Sequence, residues 1–232
     1  MSETLTIQTP DGPFQALVVR PTTTAPVPVI VVIQEIFGVN DGIRQIAGEI
    51  AAQGYIAVCP DMFWRFEPAL ALSDHKPDDV EKAIGFYGRY DFDKGVSDLV
   101  ATVAAARTLK GASGKVGVTG YCLGGLMTFR TLAASDADVG VAYYGGGTDN
   151  YVDEGARITQ PLLMHLAGDD EYIGAAAQAK IHAALDGNPH IEIHTYPGRN
   201  HAFARPNGDA YDAADATTAN ARTAAFFKAH LG

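Results

Sequence analysis

Cysteine is scarce in this chain: Cys59 and Cys122 are the only two in 232 residues, too few for a disulfide framework and without zinc-type spacing. No run reaches the roughly 18 apolar residues that a membrane helix requires, and the opening MSETLTIQTP has no basic segment followed by an apolar one. Positive charge is also in short supply, with 17 Lys and Arg against 27 Asp and Glu, a net charge of −10. That balance disfavours nonspecific attraction to nucleic acid or to an anionic membrane, and an anionic ligand would need a local positive pocket. No repeat, low-complexity tract or linker is visible. The expectation is a single cytoplasmic domain over residues 1–232, monomeric, with no cofactor and no metal.

Hydrophobic residues make up 47% of the chain, enough to fill the core of one α/β domain. Short β-rich runs recur at 14–20, 27–34, 55–59, 115–119, 139–144, 161–167 and 190–196, most of them continuously apolar as buried parallel strands are. Helical spacing lies between them. Ile43, Ile46, Ala47 and Ile50 follow the capping candidate Asn40, and Val96, Leu99, Val100 and Val103 repeat the pattern. An alanine-rich helix over 210–230 closes the chain, with Phe226 and Phe227 as core anchors. Strands alternating with helices predict a mostly parallel sheet with helical crossovers on both faces. Residues 61–90 are irregular and aromatic-rich, and read either as a lid or as a cover for the sheet.

The stretch TGYCLGG, residues 119–125, holds a thiol in a G-x-nucleophile-x-G pattern between an apolar strand and a helix. That is the context of a nucleophile elbow, where small neighbours permit a sharp turn and the following helix offers amide N–H groups and a positive dipole end. Cys122 is therefore the candidate nucleophile, against the alternative of a small buried hydrophobe. In such folds an acid and a histidine follow the nucleophile, each on a loop after a later strand. PLLMHLA runs into Gly168-Asp169-Asp170-Glu171, and HIEIHTY runs into Pro197-Gly198-Arg199-Asn200-His201. His201 would take the thiol proton while an aspartate fixes its tautomer. Spacing leaves Asp169 and Asp170 open, and either could instead cap a helix beginning near Tyr172. His165 and His194 lie within strands and are better explained by packing or hydrogen bonding there.

Glu35 closes the apolar strand VPVIVVIQEIFG, where parallel sheets place their ligands; it could act on the thiol or pair with Arg44. The amides of Ile36 and Leu123 form the candidate oxyanion pair, one from an early loop and one following the nucleophile.

Taken together, QEIFGVN, GYIAVCPD, GYCLGG and NHAFAR resemble the dienelactone hydrolase family over residues 33–205. The resemblance implies an α/β-hydrolase fold, a Cys122–Asp170–His201 triad, and a lactone or activated ester as the small-molecule substrate, cleaved through an acyl-cysteine. It selects Asp170, two places after Gly168, as the acid. It also implies that Glu35 holds the resting cysteine as a thiol until substrate displaces it, that Arg205 binds a substrate carboxylate, and that Tyr143 contacts the substrate. The family's second arginine has no counterpart, since Val80 stands at the nearest position, with Lys82 and Arg89 close by. Ala202 replaces a serine common in the family. Esterase, thioesterase or phosphotriesterase activity on neutral substrates, and a noncatalytic redox sensor built on Cys122, are the competing functions.

Overall fold

The computed structural model describes residues 2–232. The chain divides into two compact units, Met1–Val116 and Gly117–Gly232. Among the described residues, eight strands and six α-helices belong to an α/β architecture in which the strand pairs are parallel except at the N-terminal edge.

The first unit begins with a hairpin whose first strand is absent from the sequence expectations and whose second overlaps the expected run at 14–20. Strand β1 (Ser2–Thr9) pairs antiparallel with β2 (Gly12–Val19), turning at Gly12, whose φ of 127° favours glycine. Strand β2 pairs antiparallel with β4 (Ile56–Pro60), and β4 pairs in parallel with β3 (Val27–Ile33). From Val29 to Ile33 every side chain is fully buried, which explains why β3 reads as an unbroken apolar run. Helix α1 (Asp41–Ala52) starts where predicted: the Ile43 amide donates to Asn40 Oδ1 at 3.2 Å, and Ile43, Ile46, Ala47 and Ile50 face inward.

The aromatic stretch within 61–90 contains α2 (Pro77–Tyr87) and precedes α3 (Phe92–Arg107). Phe63 is fully buried and packs against Phe66, Phe86 and Tyr90, while Trp64 stacks on Phe14 with ring centres 5.5 Å apart. Trp64 Nε1 and Arg65 both donate to the buried carboxylate of Asp98 on α3. Asp61 accepts from the amides of Phe63 and Ala69, and Gly38 bridges Ala71, with Leu70 O so close that a Cβ at position 38 would lie 2.0 Å from it. These contacts pack the stretch on its own unit.

Strand β5 (Ala112–Tyr121) runs through the division into the second unit. There β5, β6 (Val139–Tyr143), β7 (Leu162–Ala167) and β8 (Ile191–Tyr196) pair in parallel in that order. Helix α4 (Leu123–Ala134) is buried from Leu123 through Leu132, which accounts for its largely apolar sequence; Arg130 is neutralised by Glu154 at 3.0 Å. Helix α5 is Ala175–Leu185 and α6 is Ala213–Leu231. Of the two expected anchors on α6, Phe227 is buried, whereas Phe226 is half-buried against the His230 ring.

Candidate active site

Cys122 is the single residue between β5 and α4, with φ 55° and ψ −115°. A residue with a Cβ is strained there by about 1–3 kcal/mol, so the surroundings must hold it. Its N–H donates to the Tyr143 carbonyl at 3.1 Å, and its carbonyl accepts from the amides of Gly125 and Leu126 at 2.9 and 3.3 Å. The glycines around it answer to close packing. A Cβ at position 120 would stand 2.2 Å from Gly124 O, and one at position 125 would stand 2.2 Å from Tyr143 O. The elbow thus needs Gly125, the second glycine of the GG pair, as well as Gly120 of the G-x-C-x-G pattern. The thiol is part-exposed, and the Leu123 amide lies in the first turn of α4, where helix N–H groups have no partner within the helix.

After β7 the chain is tied to the loop after β8 by two backbone bonds, Gly168 N–H to Tyr196 O at 2.8 Å and Asp169 N–H to Arg199 O at 2.9 Å. A Cβ at Gly168 would approach Pro197 Cα to 2.9 Å, so only glycine lets the loops close. The side chain of Arg199 is paired with Asp212 and Asp215, which fastens the second loop to α6. The tie leaves Asp169 exposed and turns Asp170 inward. Asp170 Oδ2 and Oδ1 lie 2.9 and 3.1 Å from His201 Nδ1. Oδ1 also accepts from the amides of Tyr172 and Ile173 at 2.8 and 3.2 Å. Orienting the histidine and capping the next turn, alternatives in the sequence, are performed by one carboxylate. An ionised carboxylate only accepts, so in the neutral imidazole the proton sits on Nδ1, and Nε2 is the nitrogen that can gain or give the second proton.

His201 Nε2 is buried and makes no complete hydrogen bond. Burial acts to lower the imidazole pKa, but the charge on the Cys122 sulfur, the hydrogen bond to Asp170 and further Cys122 and Asp170 contributions outweigh it and carry the pKa up to about 10. Sulfur and imidazole are therefore neighbours, and contacts of this kind are often loose until substrate arrives. Two tyrosine rings meet His201 edge to face, buried Tyr144 at 5.1 Å and exposed Tyr172 at 4.8 Å between ring centres. Neither was singled out as a contact in the sequence; the available signal for Tyr172 was its place two residues after Asp170.

Arg205 is half-buried after the buried His201–Ala204 turn, and its charge reaches the Tyr172 phenol. Tyr143 is a correction. It is fully buried, and its hydroxyl contacts Asn220 Oδ1 at 2.9 Å and Thr223 Oγ1 at 2.5 Å on α6. Strand parity turns it into the core, so it has no surface with which to touch a substrate. His165 joins the same cluster: Nε2 lies 3.1 Å from Thr223 Oγ1, and Nδ1 lies 2.9 Å from the Tyr196 hydroxyl. In the first unit Glu35 is buried and Ile36 half-buried just beyond β3; Gln34 donates to the Glu35 carbonyl and accepts from the Met62 amide. Arg44, weighed as an ion-pair partner for Glu35, donates its Nε to the Val39 carbonyl at 3.1 Å. Among the described residues no group of His, Cys, Asp or Glu is placed to hold a metal ion, and no helix is long and apolar enough to cross a membrane.

The family model of the dienelactone hydrolase family matches residues 14–231. A Pseudomonas putida carboxymethylenebutenolidase is 38% identical over 96% of this chain and 94% of its own length. A protein of Azospirillum brasilense provisionally assigned the same name is 44% identical over 96% of both. Among solved structures, one from Klebsiella pneumoniae subsp. pneumoniae, provisionally assigned as a dienelactone hydrolase, superposes with a TM-score of 0.84 at 25% identity over 98% of both chains. The fold is that of the α/β-hydrolases, and the chain belongs to the dienelactone hydrolase family as a hydrolase of ester or lactone bonds.

Proposed function

We propose that the protein is a cysteine hydrolase of lactones and activated esters, working as one domain with Cys122, His201 and Asp170 as its triad. The observation that carries this reading is the imidazole held by Asp170 at 2.9 Å with its free nitrogen in the field of a sulfur at a strained strand-to-helix turn.

In the first half-reaction the Cys122 thiolate attacks the carbonyl carbon, and the developing oxyanion accepts from the amides of Leu123 and Ile36. Collapse breaks the carbon–oxygen bond, and the His201 imidazolium gives its proton to the leaving oxygen. In the second, His201 removes a proton from water, the resulting hydroxide attacks the thioester, and the acid leaves as thiolate is regenerated. Glu35 is assigned the part its QEIFG segment suggests, partner of the resting thiol, and Arg205 that of holding a substrate carboxylate. The substrate class is a carboxylate-bearing enol lactone of the 4-carboxymethylenebut-2-en-4-olide kind.

The test compares wild type with Cys122→Ala on p-nitrophenyl acetate and on that lactone, and looks for an acetyl adduct on Cys122 by mass spectrometry. Abolished turnover and a Cys122 adduct in wild type are expected. Equal rates in the two proteins overturn the assignment. Arg205→Ala should raise KM for the carboxylate-bearing lactone and leave p-nitrophenyl acetate unchanged; an equal change on both would remove the carboxylate from the substrate class.

A further inference from the structure

Tyr172 stands out as a large apolar side chain left 66% exposed while packed against the candidate base. Its ring meets His201 edge to face, with centres 4.8 Å apart and planes at 78°. Its amide is fixed by Asp170 Oδ1 at 2.8 Å, so the backbone beneath the ring is set by the carboxylate that orients the histidine. Its stem faces the glycine run 145–147: a Cβ added at Gly146 would lie 3.8 Å from Tyr172 Cβ, an ordinary contact. The phenol pKa is raised, first by what burial it has, then by the negative charges of Glu171 and Cys122, with Arg205 opposing. Ring, sulfur, imidazole and Arg205 are thus within electrostatic reach of one another.

We propose that Tyr172 lines the leaving-group side of the site and selects esters whose departing group is a flat aryl or enol oxygen. The inference rests on the acyl-cysteine reading above. In that reading His201 delivers its proton to the departing oxygen, which must lie within hydrogen-bond reach of Nε2. A ring packed on the imidazole then borders whatever leaves, and its open surface can stack on a planar group but gains little from a small alkyl one. The acyl part, bonded to Cys122, is not what Tyr172 reads. In the step concerned the sulfur–carbon bond forms, the carbon–oxygen bond breaks, and the phenolate or enolate takes the His201 proton.

Two acetate esters separate this role from general damage, because phenyl acetate and 2,2,2-trifluoroethyl acetate both leave the same acetyl-Cys122. Tyr172→Ala should lower kcat/KM for the phenyl ester about three- to tenfold more than for the alkyl ester. Tyr172→Phe should keep the wild-type selectivity. Parallel losses on both esters, or a phenylalanine variant behaving like alanine, would overturn the assignment. Mass spectrometry of quenched reactions tells the two readings apart: an acetyl group on Cys122 with unchanged selectivity removes only the role of Tyr172, whereas no adduct on Cys122 removes the triad reading and this one with it.

Discussion

The charge state of His201 is the most direct probe of the site. Its pKa is carried from 6.5 up to about 10 against the opposing effect of burial, a rise worth about 5 kcal/mol in the balance between the two protonation states. Against burial, the rise comes from the neighbouring Cys122 sulfur and the Asp170 carboxylate. Cys122→Ala and Asp170→Asn should each lower the pKa, because each removes a contact that favours the imidazolium while burial continues to push downward. The ring C–H resonances of the seven histidines, with His201 assigned through His201→Gln, report this by NMR between pH 5 and about 11. The asparagine variant also tests the tautomer. Its carbonyl can keep accepting from Tyr172 and Ile173 while its amide turns an N–H toward Nδ1, which moves the ring proton to Nε2, the atom that must accept from sulfur. A loss in kcat on the order of 10⁴ follows from a wrong tautomer in a preserved fold. Because the native pKa is the higher one, the associated stabilisation is full below pH 6.5 and disappears as pH rises through about 10. The stability gap between wild type and Asp170→Asn should close across that window. A His201 that titrates near 6.5 in wild type, indifferent to both substitutions, would refute the coupled pair.

Burial, with the nearby charges of His194 and Arg222, lowers the His165 pKa to about 3, so its neutral form supports the fold above pH 6.5 and that support drains as pH falls toward about 3. His165→Asn should cost about 1–3 kcal/mol at neutral pH by disturbing the Thr223 and Tyr196 contacts, yet show a shallower loss of denaturant stability between pH 6.5 and 4 than wild type. Gly125→Ala sets a Cβ 2.2 Å from one backbone atom and 2.9 Å from two others; thermal denaturation should show a loss of about 3 kcal/mol or more, or no soluble protein. Gly174→Ala, with open space around its Cβ position, is the control that should change little. Glu35→Gln should change the pH profile of iodoacetamide labelling at Cys122; an unaltered profile would leave Glu35 a structural residue.

The features legible in the sequence were those written locally. A strand, a small-residue turn and a helix occur consecutively at 112–134, so the elbow needs no tertiary information, and the acid and histidine loops each follow directly on an apolar strand. Strand β1 escaped because TLTIQT is a short polar-alternating edge whose side chains, apart from buried Ile7, are half-buried or exposed from Glu3 onward. Helix α2 escaped because only Ala83 and Phe86 on it are buried, too few to mark a face inside an aromatic-rich stretch.

Within the site, sequence reading was weakest wherever two adjacent residues competed for one role, and the cause is geometric. Neighbours leaving a strand point to opposite sides, so a one-residue difference exchanges core for site while composition hardly changes. Asp169 and Asp170 are such a pair, and the choice is made by the Asp169 amide bonding Arg199 O, a contact 30 residues away in the chain that no local pattern encodes. Tyr143 and Tyr144 are another. Tyr143 continues β6 and buries its hydroxyl against α6, whereas Tyr144, with its amide on His165 O and φ of 36°, bends off the strand toward His201. Family resemblance chose Asp170 of the first pair, the aspartate whose carboxylate lies 2.9 Å from His201 Nδ1. It misassigned the second because a tyrosine at a strand end fits core and site equally well until the hydroxyl has a partner. The same reasoning makes α6 part of the catalytic frame: by fixing the Tyr143 hydroxyl and the Arg199 guanidinium it sets the parity of β6 and the position of the His201 loop, without any residue of its own touching the thiol in the proposed reaction.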